Sequence, residues 1–172
     1  MALTITDNYY FGFIDGEGCF YVGIVPSKET QNGWQVAPFF KVSQNPSGKV
    51  ILDGLKKRLQ CGYVKSNDTH SSSDKSLAFV VRNLNDLSTK IIPFVEDNLI
   101  IKSDVLNKFK ICVEYMLAKR HLTKQGFKEI VDIAYSMNTQ KRRLTKEYIF
   151  DIVQKKSSQT IRQTPREIGV KI

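Results

Sequence analysis

The chain has 172 residues, 41% hydrophobic and 25% charged, with a net charge of +9. That balance suits one compact domain able to bury about two-thirds of its unfolded surface, and it argues against disorder. No run of about 18 apolar residues is present and the N-terminus lacks a basic start before an apolar stretch, so neither a membrane span nor a secretory signal is expected. Residues 121–172 hold eleven Lys/Arg against five acids, which points to a polyanion, nucleic acid first and an acidic membrane surface second. Cys19, Cys61 and Cys112 are far apart and form no Cys-x-x-Cys pair. They fit buried thiols in a reducing, intracellular setting rather than a zinc site or disulfide frame.

Thr6 or Asp7 can cap a short apolar helix over Asn8–Glu17, with Gly18 as a left-handed stop. Gly12 and Gly16 are four apart and share a face, where absent side chains let another backbone approach. Asp15 and Glu17 stand at the helix C-terminus, where the helix dipole is already negative. Two such helices side by side would crowd their carboxylates, a conflict that a divalent cation removes. The spacing therefore predicts a helix–helix seam ending in a metal site. Asp15 and Glu17 cannot share a helical face, so Asp15 is assigned to capping or to the seam, with metal binding as the lesser option.

From Cys19 to Val25 the pattern is a strand, with Phe20, Val22 and Ile24 on one face. A polar turn over Pro26–Gly33 leads to a second alternating strand at Trp34–Ser43, and the two make a hairpin. Asn45-Pro46 opens a helix through Leu59 with Gly62 as its stop. A second hairpin follows, Tyr63–Asn67 and Leu77–Arg82, with Leu77, Phe79 and Val81 inward and Lys65, Asn67, Ala78, Val80 and Arg82 elsewhere. A helix around Leu84–Ile92 is expected to end before Pro93. Ser103 caps a helix over Asp104–Ala118, Thr123 caps the next, and a basic connector, Lys141-Arg142-Arg143, precedes a last helix at Lys146–Gln154. Residues 155–172 read as a polar tail, extended by default. The order predicts an α+β domain over residues 1–154 with a four-stranded antiparallel sheet.

Tyr10-Phe11-Gly12-Phe13-Ile14-Asp15-Gly16-Glu17-Gly18, followed by an aromatic strand, resembles the signature of the LAGLIDADG homing endonucleases. The predicted element order is similar to that family's αββαββα domain with trailing helices. The resemblance implies a saddle-shaped sheet whose outward face lies in the DNA major groove, here carrying Tyr21, Val25, Ser27, Gln35, Lys41, Lys65 and Asn67. It implies an active site of Glu17, Gln44 and Lys102, with Glu17 and the Gly16 carbonyl holding Mg²⁺ or Mn²⁺. For Gln44 and Lys102 the plain alternatives are an ordinary strand-end amide and a solvated lysine. Lys141, Arg142 and Arg143 fall where members contact phosphates. Glu17 replaces the more familiar Asp, and Gly48 stands where some members carry a basic side chain.

A single motif implies a homodimer joined through Phe11, Gly12, Asp15 and Gly16, acting on a pseudo-palindromic double-stranded DNA site and leaving 3′ overhangs. Family genes reside in introns or inteins, which implies an organelle or a prokaryotic cytoplasm. The alternatives are an intron-RNA maturase on the same fold, with RNA as its partner, and a catalytically silent DNA-binding module. His70 and His121 lack partners at metal or triad spacing and are read as non-catalytic. Phe11, Phe13, Phe20, Phe40 and Phe109 are read as core, whereas Tyr21 and Phe39 fall on the outward face of the sheet.

Overall fold

The computed structural model describes residues 5–67, 75–137 and 142–162, the last seven by backbone alone. Helix α1 (Asp7–Glu17) runs into strand β1 (Gly18–Pro26), which pairs with β2 (Trp34–Gln44). One 3₁₀ turn at Pro46–Gly48 starts α2 (Lys49–Leu59), and β3 (Tyr63–Ser66) and β4 (Leu77–Val81) form the second hairpin. The remainder is helical: α3 (Leu84–Asp86), α4 (Ile92–Val95), α5 (Ser103–Leu117), α6 (Lys124–Met137) and α7 (Lys146–Arg162). The four strands are antiparallel in the order β1-β2-β4-β3, as the alternation predicts.

Period-two alternation divides the sheet into an inner and an outer face. Phe20, Val22, Phe40, Val42, Phe79 and Val81 are buried on the inner face. The Phe20 ring lies 5.1 Å from Phe40 and 5.5 Å from Phe109 of α5, so aromatic contacts join both hairpin strands to the helical layer. Tyr10 and Ile14 turn the opposite side of α1 into the same core. Ala78 and Val80 point outward as expected yet are also buried. Their cross-strand partners include the longer Lys41, Tyr63 and Lys65, which rise beside them.

Several boundaries differ from expectation for local reasons. Gly18 is extended (φ −68°, ψ 148°), not left-handed. Its need for glycine is steric, because a Cβ there would lie 2.5 Å from the Ile14 carbonyl oxygen. The left-handed residue ending α2 is Gln60 (φ 50°), and Gly62 (φ 69°) instead turns the chain into β3. Helical structure also continues past Pro93, because Leu87–Ile91 is a π turn between α3 and α4. A widened turn eases the clash of the proline ring with the preceding turn, and no fourth-residue hydrogen bond has to be supplied there. At α5, Lys102 occupies the cap position without a side-chain bond, and Ser103 Oγ instead donates back to the Ile100 carbonyl at 3.1 Å. The Thr123 cap of α6 is present, its Oγ1 accepting from Gly126 N–H at 3.0 Å. Helix α7 extends to Arg162, so the start of the supposed tail is helical.

Phe109 is fully buried against Phe20. Phe109→Ala is expected to cost about 3–5 kcal/mol in urea unfolding. A loss below about 1 kcal/mol would show that α5 does not pin the sheet.

Candidate nucleic-acid and metal site

The C-terminus of α1 and the turn before α5 are bound to each other in both directions. Asp15 is 9% exposed, and its carboxylate accepts from three consecutive backbone N–H groups: Ile100 (3.2 Å), Ile101 (3.1 Å) and Lys102 (3.0 Å). In return, the Lys102 ammonium donates to the carbonyls of Asp15 and Gly16, the latter at 2.7 Å. A cation on the free carbonyls of a helix C-terminus also satisfies the negative end of the helix dipole. The Asp15 carboxylate is thereby turned toward the turn before α5 of its own chain.

Burial pushes the Asp15 carboxyl up, but the three N–H donors and the Lys102 charge outweigh it and hold the group below its ordinary value. The folded state therefore binds this proton less well than the unfolded chain. Its stabilisation is complete above the unfolded value, near 3.9, and disappears as pH falls through the lower folded value.

Glu17, two residues on, is exposed and has no hydrogen bond or ion pair among the described residues. Gly12 and Gly16 lie along the exposed side of α1, and a Cβ at either would meet nothing within 4 Å. Among the described residues, nothing requires those two glycines. Tyr9, Ile100 and Ile101 add apolar exposure beside this face, 49%, 86% and 77% respectively. Ile100 and Ile101 were missed in the sequence reading, although an Ile-Ile pair straight after a polar turn was the available signal. Phe11 is half-buried and packs on Phe94 of its own chain at 5.0 Å, so it flanks the bare face.

Among the described residues, no three His, Cys, Asp or Glu side chains gather as a metal site. Any further carboxylate, imidazole or thiolate ligand for a cation at Glu17 lies outside the described residues of this chain. Gln44 closes β2 at the end where Gly18 pairs with Val42, which brings it to the same end of the sheet as Glu17. Its Oε1 accepts from Asn45 N–H at 2.9 Å, leaving the amide NH₂ to donate elsewhere. The Gln44 side chain lies over Gly48, where a Cβ would overlap it. Gly48 therefore provides room for Gln44, and Lys49 pairs with Asp53.

The outward sheet face brings together most of the predicted contact residues. Gln35 is exposed opposite Val25, and the Tyr21 ring packs tilted against its cross-strand partner Phe39, centroids 5.2 Å apart. Lys41 Nζ (3.1 Å) and Ser43 Oγ (3.4 Å) both donate to Asn67 Oδ1, and Lys65 is exposed. Ser27 is half-buried in the hairpin turn, with its Oγ accepting from Glu29 N–H. Lys141 lies outside the described residues. Arg143 is exposed, whereas Arg142 is half-buried against Tyr21 and α6. Burial pushes the Cys112 thiol up to about 12, consistent with a core residue and no reactivity.

The LAGLIDADG endonuclease family model matches residues 10–115. A probable intron-encoded endonuclease of Neurospora crassa is 29% identical over 132 residues, covering 76% of this chain and 27% of that protein. The chain thus spans about a quarter of that relative's length. Among solved structures, the homing endonuclease I-TnaI superposes with TM-score 0.75 at 30% identity, covering 90% of this chain and 99% of that one. I-SmaMI, bound to an uncleaved DNA target in the presence of calcium ions, gives TM-score 0.73 at 27% identity. That match covers 98% of this chain and 54% of the other.

Asp15→Asn is expected to destabilise the chain by about 1–3 kcal/mol at pH 7. It should also flatten the loss of stability below pH 4, read as urea midpoints between pH 7 and pH 2. Parallel acid limbs for the two proteins would contradict the assignment.

Proposed function

Because the chain belongs to the LAGLIDADG endonuclease family, we propose that two copies assemble on double-stranded DNA and cut both strands of a long pseudo-palindromic site, leaving 3′ overhangs. The bare side of α1 carries this reading. Its two glycines cost the isolated helix roughly 1 kcal/mol each and have no neighbour among the described residues that needs the space. A second α1 laid against the same side makes the self-complementary contact of a two-fold dimer. The exposed Tyr9, Ile100 and Ile101 would flank it with apolar surface.

In such a dimer the two Glu17 carboxylates approach the axis, where they repel unless a cation lies between them. Glu17 is a hard oxygen donor of the class that suits Mg²⁺ or Mn²⁺, with phosphate and water oxygens completing the shell. The Gly16 carbonyl, the second expected ligand, already accepts from the Lys102 ammonium and would join the shell only as that bond loosens. Such an ion, when bound, lowers the pKa of water and neutralises charge on the leaving 3′ oxygen. Lys102 is fixed to the same helix end as Glu17, so its positive charge is in place before DNA arrives and can offset charge developing on the phosphate. Gln44, with its carbonyl occupied by Asn45, offers its NH₂ to water or a phosphate oxygen.

On the outward face, Gln35, Lys41, Lys65 and Asn67 supply hydrogen bonds to base edges, and Tyr21 and Val25 supply apolar contact to thymine methyls. Arg143, joined by Lys141 and with Ser27 at the hairpin turn, would hold the phosphate backbone. Relatives encoded in introns support a gene of the same kind, in an organellar or prokaryotic genome.

Glu17→Gln should leave target binding within about twofold and reduce Mg²⁺-dependent cleavage by roughly 10³-fold or more. Cleavage at the original rate would remove Glu17 from the mechanism. Replacing Gly12 by Ala should stabilise the chain by up to about 1 kcal/mol while weakening dimerisation in sedimentation experiments and lowering cleavage with it. An intact dimer with Leu at both Gly12 and Gly16 would place the interface elsewhere.

A further inference from the structure

Arg142 sits in a basic connector and would ordinarily be assigned to a phosphate, but its guanidinium is already occupied. One Nη donates to the Val22 carbonyl at 3.0 Å and to the Tyr21 hydroxyl at 3.3 Å, and the other donates to the Ala134 carbonyl. The guanidinium carbon lies 4.7 Å from the Tyr21 ring centroid and 4.5 Å from that of Tyr135. Its Nε is buried and has no hydrogen-bond partner among the described residues, so that edge of the half-buried guanidinium is turned into the protein. On its other side, the Tyr21 ring packs at a 36° tilt against Phe39, over which Arg82 lies at 5.5 Å. Tyr21 still lines an open groove with Val25, Phe39, Arg143 and the half-buried Arg142 itself.

We propose that Arg142 is the positioning residue for Tyr21, wedged between the outer sheet face and α6, and that it makes no phosphate contact. This rests on the DNA-binding reading above and sharpens it. The charge of Arg142 neutralises no phosphate, and its planar fork fixes the angle at which Tyr21 is presented to a base pair. Lysine cannot replace it, because an ammonium has neither the stacking plane nor the fork. Base preference should then depend on a residue that never touches DNA.

Salt dependence separates the two roles, since each phosphate contact contributes about 0.9 to the slope of log K against log salt. Arg142→Met should keep the slope of the parent protein while flattening base preference at one position in each half-site. Tyr21→Leu should flatten the same position, and the double variant should go no further. Arg143→Ala should lower the slope by about 0.9 per subunit with base preference unchanged. A slope reduced by Arg142→Met, or base preference retained by it, would overturn the proposal. Should Arg142→Met fail to fold, Arg142→Lys decides. Unchanged affinity and base preference in the lysine variant indicate a phosphate contact, whereas flattened preference at constant slope indicates positioning. Failure of the parent protein to bind any DNA would overturn the functional reading itself, a result distinct from either outcome for Arg142.

Discussion

The reciprocal clamp between α1 and the turn before α5 is the constraint on which the site depends. One carboxylate binds three backbone N–H groups, and the lysine of that same turn returns its charge to the carbonyls of the helix that carries the carboxylate. Each half satisfies polar groups that a helix end or a tight turn would otherwise leave open. Because the bonds run both ways across a separation of more than eighty residues, α1 cannot shift without moving Lys102 with it. The exposed acid, the lysine and the bare glycine face therefore form one rigid unit.

Rigidity at this point explains how a chain can leave its reactive end so open. Asp15 and Glu17 are chemically alike and two residues apart, yet the helix sends them to opposite fates. Asp15 is satisfied within the chain, and Glu17 has no partner among the described residues. An unpartnered carboxylate at the negative end of a helix is unfavourable in isolation, a conflict that the proposed second copy and cation would remove. The same economy governs the glycines: Gly18 and Gly48 are required by contacts inside the chain, whereas no described residue needs the space left by Gly12 and Gly16.

The outer sheet face follows a second rule, in which aromatic and cationic groups support one another. Tyr21, Phe39, Arg82, Arg142 and Tyr135 form a connected series of ring and guanidinium contacts across β1, β2 and α6. Lys41, Ser43 and Asn67 make a smaller polar set beside it. The residues placed to meet a ligand are therefore preorganised, which lowers the entropy lost on binding.

Much of this was legible in order along the chain. The alternation of Cys19–Val25 and Trp34–Ser43 specified a hairpin and its faces, because a period of two is local and geometric. Boundaries such as Gln60, the π turn before Pro93 and the extension of α7 were not, since turns and helix ends respond to tertiary neighbours as well as to propensity. The sequence by itself determined which residues could share a face and which chemistry they carried. Only the tertiary structure decided which polar groups were already spent: Asp15 and Arg142 bind their own chain, and Glu17 and Arg143 remain open. The reason is that a side chain's partners are set by distances across the fold, and Asp15 meets Lys102, as Arg142 meets Tyr21, only after the helices have packed on the sheet.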